Sequence, residues 1–328
     1  MTPRARTVDP AVEAGSVPAD AGPVPVEASA PRPSADASGP SDRADHRAGH
    51  PIGLAAEGVS LGYDGRRIVE DLSLRLPAGR ITAIVGPNAC GKSTLLRGLA
   101  RLHPLEAGRV TLDGQDVGRM PRRELARRLG VLPQSSVAPD GVRVADLVGR
   151  GRYPHQGWFG RHSSGDDLAV AEALEATGMA ELADRPIDEL SGGQRQRVWI
   201  AMVLAQQPEV MLLDEPTTYL DLAHQLELLD LLTALNRERG TTIVMVLHEL
   251  NLAARYADHL VVMSGGRVVA EGEPARVLDR DTVHGAFGLS AEVIDDPVSG
   301  GPLIVPIGRF HSAPVVTERN AGSESTLG

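Results

Sequence analysis

The sequence predicts an α/β fold: a parallel sheet covered on both faces, with a smaller helical unit inserted in it. Three observations carry this expectation. Apolar runs at 81–85, 130–132, 210–213 and 242–247 have the length and composition of strands buried on both sides. Helical spacing lies between them, as in Leu95, Leu99 and Leu102 at i, i+4 and i+7 with Arg97 and Arg101 on another face. Each run also ends in glycine or polar residues: Gly86, Pro133-Gln134, Asp214-Glu215 and His248. Open α/β sheets bind ligands at the carboxyl ends of their strands, so four such ends predict one shared site.

The flanks read differently. Residues 1–50 hold 11 Ala and 8 Pro but no Leu, Ile, Phe, Tyr or Trp, a composition expected to stay disordered. The tail 310–328 is polar and expected to be loose. That leaves 51–309 as the folded body. Within it, 137–205 interrupts the strands with mostly helical sequence, such as 166–178, and is read as the inserted helical subdomain.

Composition excludes several classes of function. The 328 residues carry 33 basic and 43 acidic side chains, a net charge of −10, which argues against broad binding to a nucleic-acid backbone. A single cysteine, Cys90, excludes a disulfide scaffold and a multi-cysteine zinc site. No apolar run reaches the length of a membrane span, and the N-terminus lacks the apolar core of a secretory signal. A soluble, cytoplasmic chain is expected. Of the 33 basic residues only Lys92 is lysine. Arginine replaces lysine readily on a wet surface but not where a compact ammonium must fit, which singles out Lys92.

Gly86, Pro87, Asn88, Ala89, Cys90, Gly91, Lys92, Ser93 and Thr94 follow one strand and open a helix, the setting that the P-loop pattern requires. Backbone N–H groups of such a loop cradle phosphates at a helix N-terminus. Lys92 would reach the β- and γ-phosphates, and the Ser93 hydroxyl would ligate Mg²⁺. Asp214 and Glu215 end the third run, where one carboxylate can support a metal and its neighbour can take a proton from water. Ser191, Gly192, Gly193 and Gln194 begin a second helix with exposed N–H groups, Ser191 being suited to cap it. Cys90 lies two residues before Lys92 at a helix start. Ammonium and helix dipole together predict a thiol pKa below the free value.

Residues 190–197, Leu-Ser-Gly-Gly-Gln-Arg-Gln-Arg, resemble the signature of the ATP-binding-cassette (ABC) ATPases, and the resemblance extends over nearly all of 52–309 in the family's order. It implies a RecA-like P-loop sheet domain with an inserted helical subdomain, ATP and Mg²⁺ as ligands, and ATP hydrolysis. It also implies individual roles. Tyr63 would stack on adenine, Gln134 matches the Q-loop, and Asp214 with Glu215 matches Walker B. Asp221 matches the D-loop, and His248 matches the switch histidine. Glu215 would be the general base, with His248, Gln134 and Lys92 completing the catalytic set and Ser93, Gln134 and Asp214 around the metal. Two such cassettes would pair head to tail as a homodimer, each P-loop facing the partner's Ser191, Gly192 and Gly193. The sequence departs from many members at Ala89, where they have glycine, and at Glu249, where they have aspartate.

Gln134 and Ser191 are 57 residues apart without sustained heptads, unlike the coiled-coil insertions of chromosome and repair ATPases. One cassette per chain and no fused membrane helices point to a separate subunit docking on membrane partners. The finer resemblance is to ferric-siderophore importer ATPases, on residues 150–155 (RGRYPH), 205–208 (AQQP), 215–221 (EPTTYLD), 296–300 (DPVSG) and 306–308 (PIG). It implies two permease subunits, an indirect siderophore-binding lipoprotein partner, no nucleic acid, and a peripheral position on the cytoplasmic face of the membrane. Cobalamin- or heme-type import, or a soluble ABC ATPase associated with nucleic acid, is the alternative. Residues 153–159 (YPHQGWF) would face a coupling helix of the permease or close the helical subdomain.

Overall fold

The computed structural model describes residues 53–134, 138–156, 163–218 and 220–308. The expectations for 1–50, for 310–328, for Tyr219 and for 157–159 therefore lie outside the described residues.

β1 (Leu54–Tyr63) and β2 (Arg66–Arg75) form an antiparallel hairpin in which Tyr63 pairs with Arg66. β3 (Ile81–Val85) leads through the glycine-rich loop into α1 (Lys92–Leu99). β4 (Ala107–Leu112), β5 (Gln115–Asp116), α2 (Arg122–Arg128) and β6 (Leu129–Leu132) follow. α3 (Val144–Gly149), α4 (Ser164–Ala176) and α5 (Gly192–Ala205) form the expected helical insertion. The chain returns to the sheet with β7 (Val210–Asp214), α6 (Leu222–Arg239), β8 (Thr242–Val246) and α7 (Leu250–Tyr256). It continues through β9 (His259–Ser264), β10 (Arg267–Gly272), α8 (Pro274–Val277) and α9 (Arg280–Phe287) to the hairpin β11 (Ala291–Asp295) and β12 (Pro302–Pro306).

The six-stranded sheet runs β10-β9-β3-β8-β7-β6, parallel except where β10 returns beside β9. All four predicted strands lie in it, β3 with the expected ends and the other three shifted by a residue: Leu129 joins β6, Asp214 belongs to β7, and Leu247 falls just past β8. β3, β7 and β8 are buried at every position, which explains their unbroken apolar character. Ala83, Met211 and Met245 face one core with α5 and α6. Ile84, Leu212 and Val244 face the other, with α1 and the antiparallel sheet β2-β1-β4-β5.

The helical spacing around Leu95 holds only as far as Leu99. Arg101 takes a left-handed φ of 56°, which ends the helix, and Leu102 is exposed rather than part of its buried face. Inside the insertion, Ser163 caps α4 in a reciprocal capping box with Asp166. No helix among the described residues is long and apolar enough to cross a membrane.

Candidate functional site

The phosphate loop sits where β3 leaves the sheet. A Cβ on Gly86 would lie 2.2 Å from the carbonyl oxygen of Met263, so β9 crowds the first loop position and admits only glycine. Gly91 caps α1 with φ 104°. Ala89 has φ 60°, the left-handed conformation that favours glycine, at a cost of about 1–2 kcal/mol for a residue with a Cβ. The departure noted at this position therefore carries backbone strain. Lys92 is buried, and its Nζ donates to the carbonyls of Gly86 at 2.8 Å and Pro87 at 2.9 Å, spanning the loop.

Tyr63, Asn88 to Thr94, Glu215 and His248 line one cleft of about 260 Å³. Three of the four expected strand ends, those of β3, β7 and β8, thus meet in this cleft together with the end of β1, while the end of β6 reaches it only through the Gln134–Glu215 bond. The Tyr63 ring lies 4.4 Å from that of His103, tilted by 38°, and His103 Nε2 is 2.8 Å from the carbonyl oxygen of Gly62.

Glu215 stands at the centre of the polar contacts. Its Oε2 accepts from Gln134 Nε2 at 2.7 Å and from Thr218 Oγ1 at 3.2 Å, while its Oε1 lies 2.7 Å from His248 Nε2. Glu215 also has a left-handed φ of 54°, a strained conformation of the kind found where a structure over-determines a side chain. Three strand ends therefore meet on one carboxylate.

Asp214 is 2% exposed, and burial raises its carboxyl pKa against the opposing Ser93 hydrogen bond. Ser93 Oγ donates to Asp214 Oδ1 at 2.8 Å, and Asp214 Oδ2 is buried without a hydrogen-bond partner. No cluster of three or more His, Cys, Asp or Glu side chains among the described residues could hold a metal. A serine hydroxyl beside an unsatisfied carboxylate oxygen nevertheless fits a hard divalent ion such as Mg²⁺, which takes few protein ligands. Gln134, expected near the metal, directs its amide nitrogen to Glu215.

The thiol expectation fails. Cys90 is 6% exposed, and desolvation raises its pKa by more than the Lys92 charge lowers it. Position in the chain placed the thiol near a cation correctly, but burial controls its titration.

Ser191, Gly192, Gly193 and Gln194 do not line the cleft. Ser191 caps α5, its Oγ accepting from Gln194 N at 3.2 Å while Gln194 Oε1 accepts from Ser191 N at 3.1 Å. Asp221 caps α6 by accepting from His224 N at 3.0 Å, and its carboxylate also meets His224 Nδ1 at 2.7 Å. A Cβ on Gly193 would lie 3.6 Å from the His224 ring, so the start of α5 and the start of α6 are neighbours. Gln196 strengthens this link by donating to the carbonyl of Pro216 at 2.9 Å, directly after Glu215.

No individual role was expected for His103, Thr218 or Gln196, although the last two lie inside the segments 215–221 and 190–197. Thr218 stands three residues after Glu215, a spacing that permits a local side-chain bond across a turn. His103 carries no comparable local signal, because its partners Gly62 and Tyr63 lie on a strand far earlier in the chain.

A second groove, of about 620 Å³, opens between α2 and the helical insertion. Leu102, Leu125, Met202 and Tyr153 give it an apolar lining, with Arg101, Arg122 and Arg150 around them. Tyr153 is exposed, and Arg123 and Arg127 both donate to the carbonyl of the adjoining Pro154 at 2.8 Å.

A family model described as "ABC transporter" matches residues 69–218. The ferric enterobactin transport ATP-binding protein FepC of Escherichia coli (strain K12) is 51% identical over 256 residues, covering 78% of this chain and 94% of that protein. Among solved structures, an inward-facing putative metal-chelate type ABC transporter superposes with a TM-score of 0.68 at 29% identity, over 79% of this chain and 98% of that one. The dimeric structure of the bacterial ABC transporter cassette MJ0796 gives a TM-score of 0.61 at 26% identity, over 67% of this chain and 98% of that one.

Proposed function

Because the chain belongs to the ABC transporter ATP-binding family, we propose that it is the ATP-hydrolysing subunit of a bacterial importer of ferric siderophores. The observation that carries this is the convergence of Gln134, Thr218 and His248 on Glu215 beside a phosphate loop. The 51% identity to a ferric enterobactin transport protein along almost its whole length supports the cargo.

Within this reading the chemistry follows from the contacts. Tyr63, backed by His103, stacks on adenine, and the loop N–H groups from Asn88 to Thr94 hold the phosphates. Lys92 exchanges its loop carbonyls for phosphate oxygens. Ser93 and Asp214 would hold Mg²⁺, which would supply charge neutralisation to the nucleotide's phosphates. Glu215 accepts a proton as water adds to the γ-phosphorus, and the bond to the β–γ bridging oxygen breaks with its electron pair leaving on ADP. His248 and Gln134 hold the Glu215 carboxylate, with His248 also directed at the γ-phosphate. Asp221 and the capped start of α5, with Ser191, Gly192, Gly193 and Gln194, serve the partner's nucleotide in a head-to-tail homodimer.

Residues 51–309 form the cassette in this reading. The arginine-rimmed groove beside Tyr153 receives one of two permease subunits, which a siderophore-binding lipoprotein supplies from the other side. The subunit then lies on the cytoplasmic face of the membrane as a peripheral protein. Deletion of the gene tests the cargo: growth should fail under iron limitation and recover with excess ferric salt. Unchanged ferric-siderophore uptake in a strain without redundant importers would replace that cargo with cobalamin or heme. An ATPase that recovers no polytopic membrane protein in pull-downs would favour the soluble alternative.

A further inference from the structure

The catalytic contacts leave the last described hairpin unused, although the sequence marks the segment 296–300 (DPVSG) at its turn as distinctive. This hairpin is fastened to the helix that begins two residues after His248. Asn251 of α7 donates from Nδ2 to the carbonyl of Ile304 at 3.1 Å and accepts from Ile304 N at Oδ1 at 2.8 Å. One side chain thereby satisfies both backbone groups of a buried β12 residue, as a neighbouring strand would. One turn further along the same helix face, Arg255 donates to Asp296 Oδ2 from Nε at 3.1 Å and from Nη2 at 2.7 Å. Asp296 is itself fixed, accepting from Val298 N at 3.0 Å and from Ser299 Oγ at 2.7 Å.

α7 has seven residues, and its cap residue Glu249 makes no side-chain capping bond. A helix this short does not hold its own first turn, since nucleation is costly and the first N–H groups lack partners. The His248 side chain is 41% exposed, so its ring is steered by the backbone that bears it and by the contact with Glu215 rather than by surrounding packing.

We infer that the β11–β12 hairpin is a clamp that positions His248 through α7, with Asn251 as the positioning residue and Arg255–Asp296 as its second anchor. The inference rests on the reading of His248 as part of the hydrolytic site. Loosening the clamp lets the imidazole drift from the carboxylate and the γ-phosphate while the phosphate loop, which binds most of the nucleotide, stays intact.

The test uses the full chain and steady-state hydrolysis of MgATP. Asn251→Ala should lower kcat roughly tenfold, since sub-ångström placement controls such steps. It should leave KM within about twofold, because ground-state binding is untouched. Arg255→Lys, which keeps the ion pair, should retain most turnover, and Arg255→Ala should resemble Asn251→Ala. In a His248→Ala background Asn251→Ala should add nothing, because the residue it positions is gone; a merely structural contact would still subtract. Wild-type kcat in a folded Asn251→Ala protein, or the full loss persisting without His248, overturns the inference. If Asn251→Ala does not fold, Asn251→Asp keeps the Oδ1 acceptor for Ile304 N, turns the Nδ2 donor into a charged oxygen facing the Ile304 carbonyl, and is read in the same way. Wild-type protein without ATPase activity, or His248→Ala with unchanged kcat, would instead sink the functional reading beneath it.

Discussion

Arg152→Met should destabilise the fold by about 3–5 kcal/mol, the usual cost of stranding one partner of a buried ion pair. Arg152 is 7% exposed and Asp166 4%. Arg152 Nε donates to Asp166 Oδ1 at 2.8 Å, and Nη1 donates to the carbonyl of Ala205 at 2.8 Å and to Gln207 Oε1 at 3.2 Å. These bonds tie the turn after α3 to the start of α4 and the end of α5. Methionine fills much of the volume but supplies no donor, leaving Asp166 with its Ser163 bonds at 3.1 and 2.9 Å. At roughly 2–4 °C per kcal/mol for a fold of this size, the melting temperature should fall by about 6–20 °C. Calorimetry measures the melting shift, and urea unfolding followed by far-UV circular dichroism measures the free energy. The Arg152 guanidinium and the Ser163 bonds hold the Asp166 carboxyl at about 2, below its ordinary 3.8. Because the folded value is the lower one, this stabilisation is present above the ordinary value and disappears as pH falls towards 2. Asp166→Asn should therefore trail wild type by a constant amount from about pH 8 to about pH 5, the gap closing below about pH 4. A loss under about 1 kcal/mol in Arg152→Met would refute the reasoning, since it is the size expected of a solvent-exposed pair. A gap that widens in acid would refute the assignment of the low pKa.

Glu215→Gln should still bind MgATP and dimerise with it, but hydrolysis should fall by roughly 10²- to 10⁴-fold. Phosphate-release assays check this, and turnover within a few-fold of wild type removes Glu215 as the base. Ser191→Arg and Lys92→Ala should each be inactive alone and partly active when mixed, because a head-to-tail hybrid keeps one intact site. Inactivity after demonstrated mixing argues against that arrangement or against independent sites. Maleimide should label Cys90 more slowly at pH 7 than it labels a free thiol, and faster as pH rises, because burial raises this pKa. The adduct should abolish hydrolysis while Cys90→Ser retains it. Rapid labelling at pH 7, counted by mass spectrometry, would contradict the buried placement.

The parallel sheet was legible because strands buried on both faces read as continuous apolar runs. The antiparallel sheet was not, because β2 alternates exposed and buried positions over a polar sequence and β5 spans only two residues. Leu102 illustrates the limit of periodicity. Its spacing from Leu95 and Leu99 continues the helical pattern, but a left-handed Arg101 ends the helix first. The capping residues Ser163, Ser191 and Asp221 lie at helix starts where short polar side chains satisfy free N–H groups. Only Ser191 was marked in advance as a cap; Asp221 was singled out as the match to the D-loop instead.

The phosphate loop, the acidic strand end and the capped start of α5 could be read from the chain alone, because each is a local device. Strand, turn and helix N-terminus lie within a few residues, and the backbone geometry they require restricts which side chains fit. The tertiary structure alone decided which distant groups meet. Gln134 reaches Glu215 across 81 residues and Ser93 reaches Asp214 across 121, contacts that depend on strand order in the sheet rather than on spacing in the chain. It also decided the protonation of Cys90. Proximity to Lys92 is written in the sequence, but the opposing desolvation comes from burial in the core cluster that Cys90 shares with Leu95 and Met263. The same reason hides the clamp on α7: Asn251 and Ile304 are 53 residues apart, and only packing turns an amide side chain into a rung for the final strand.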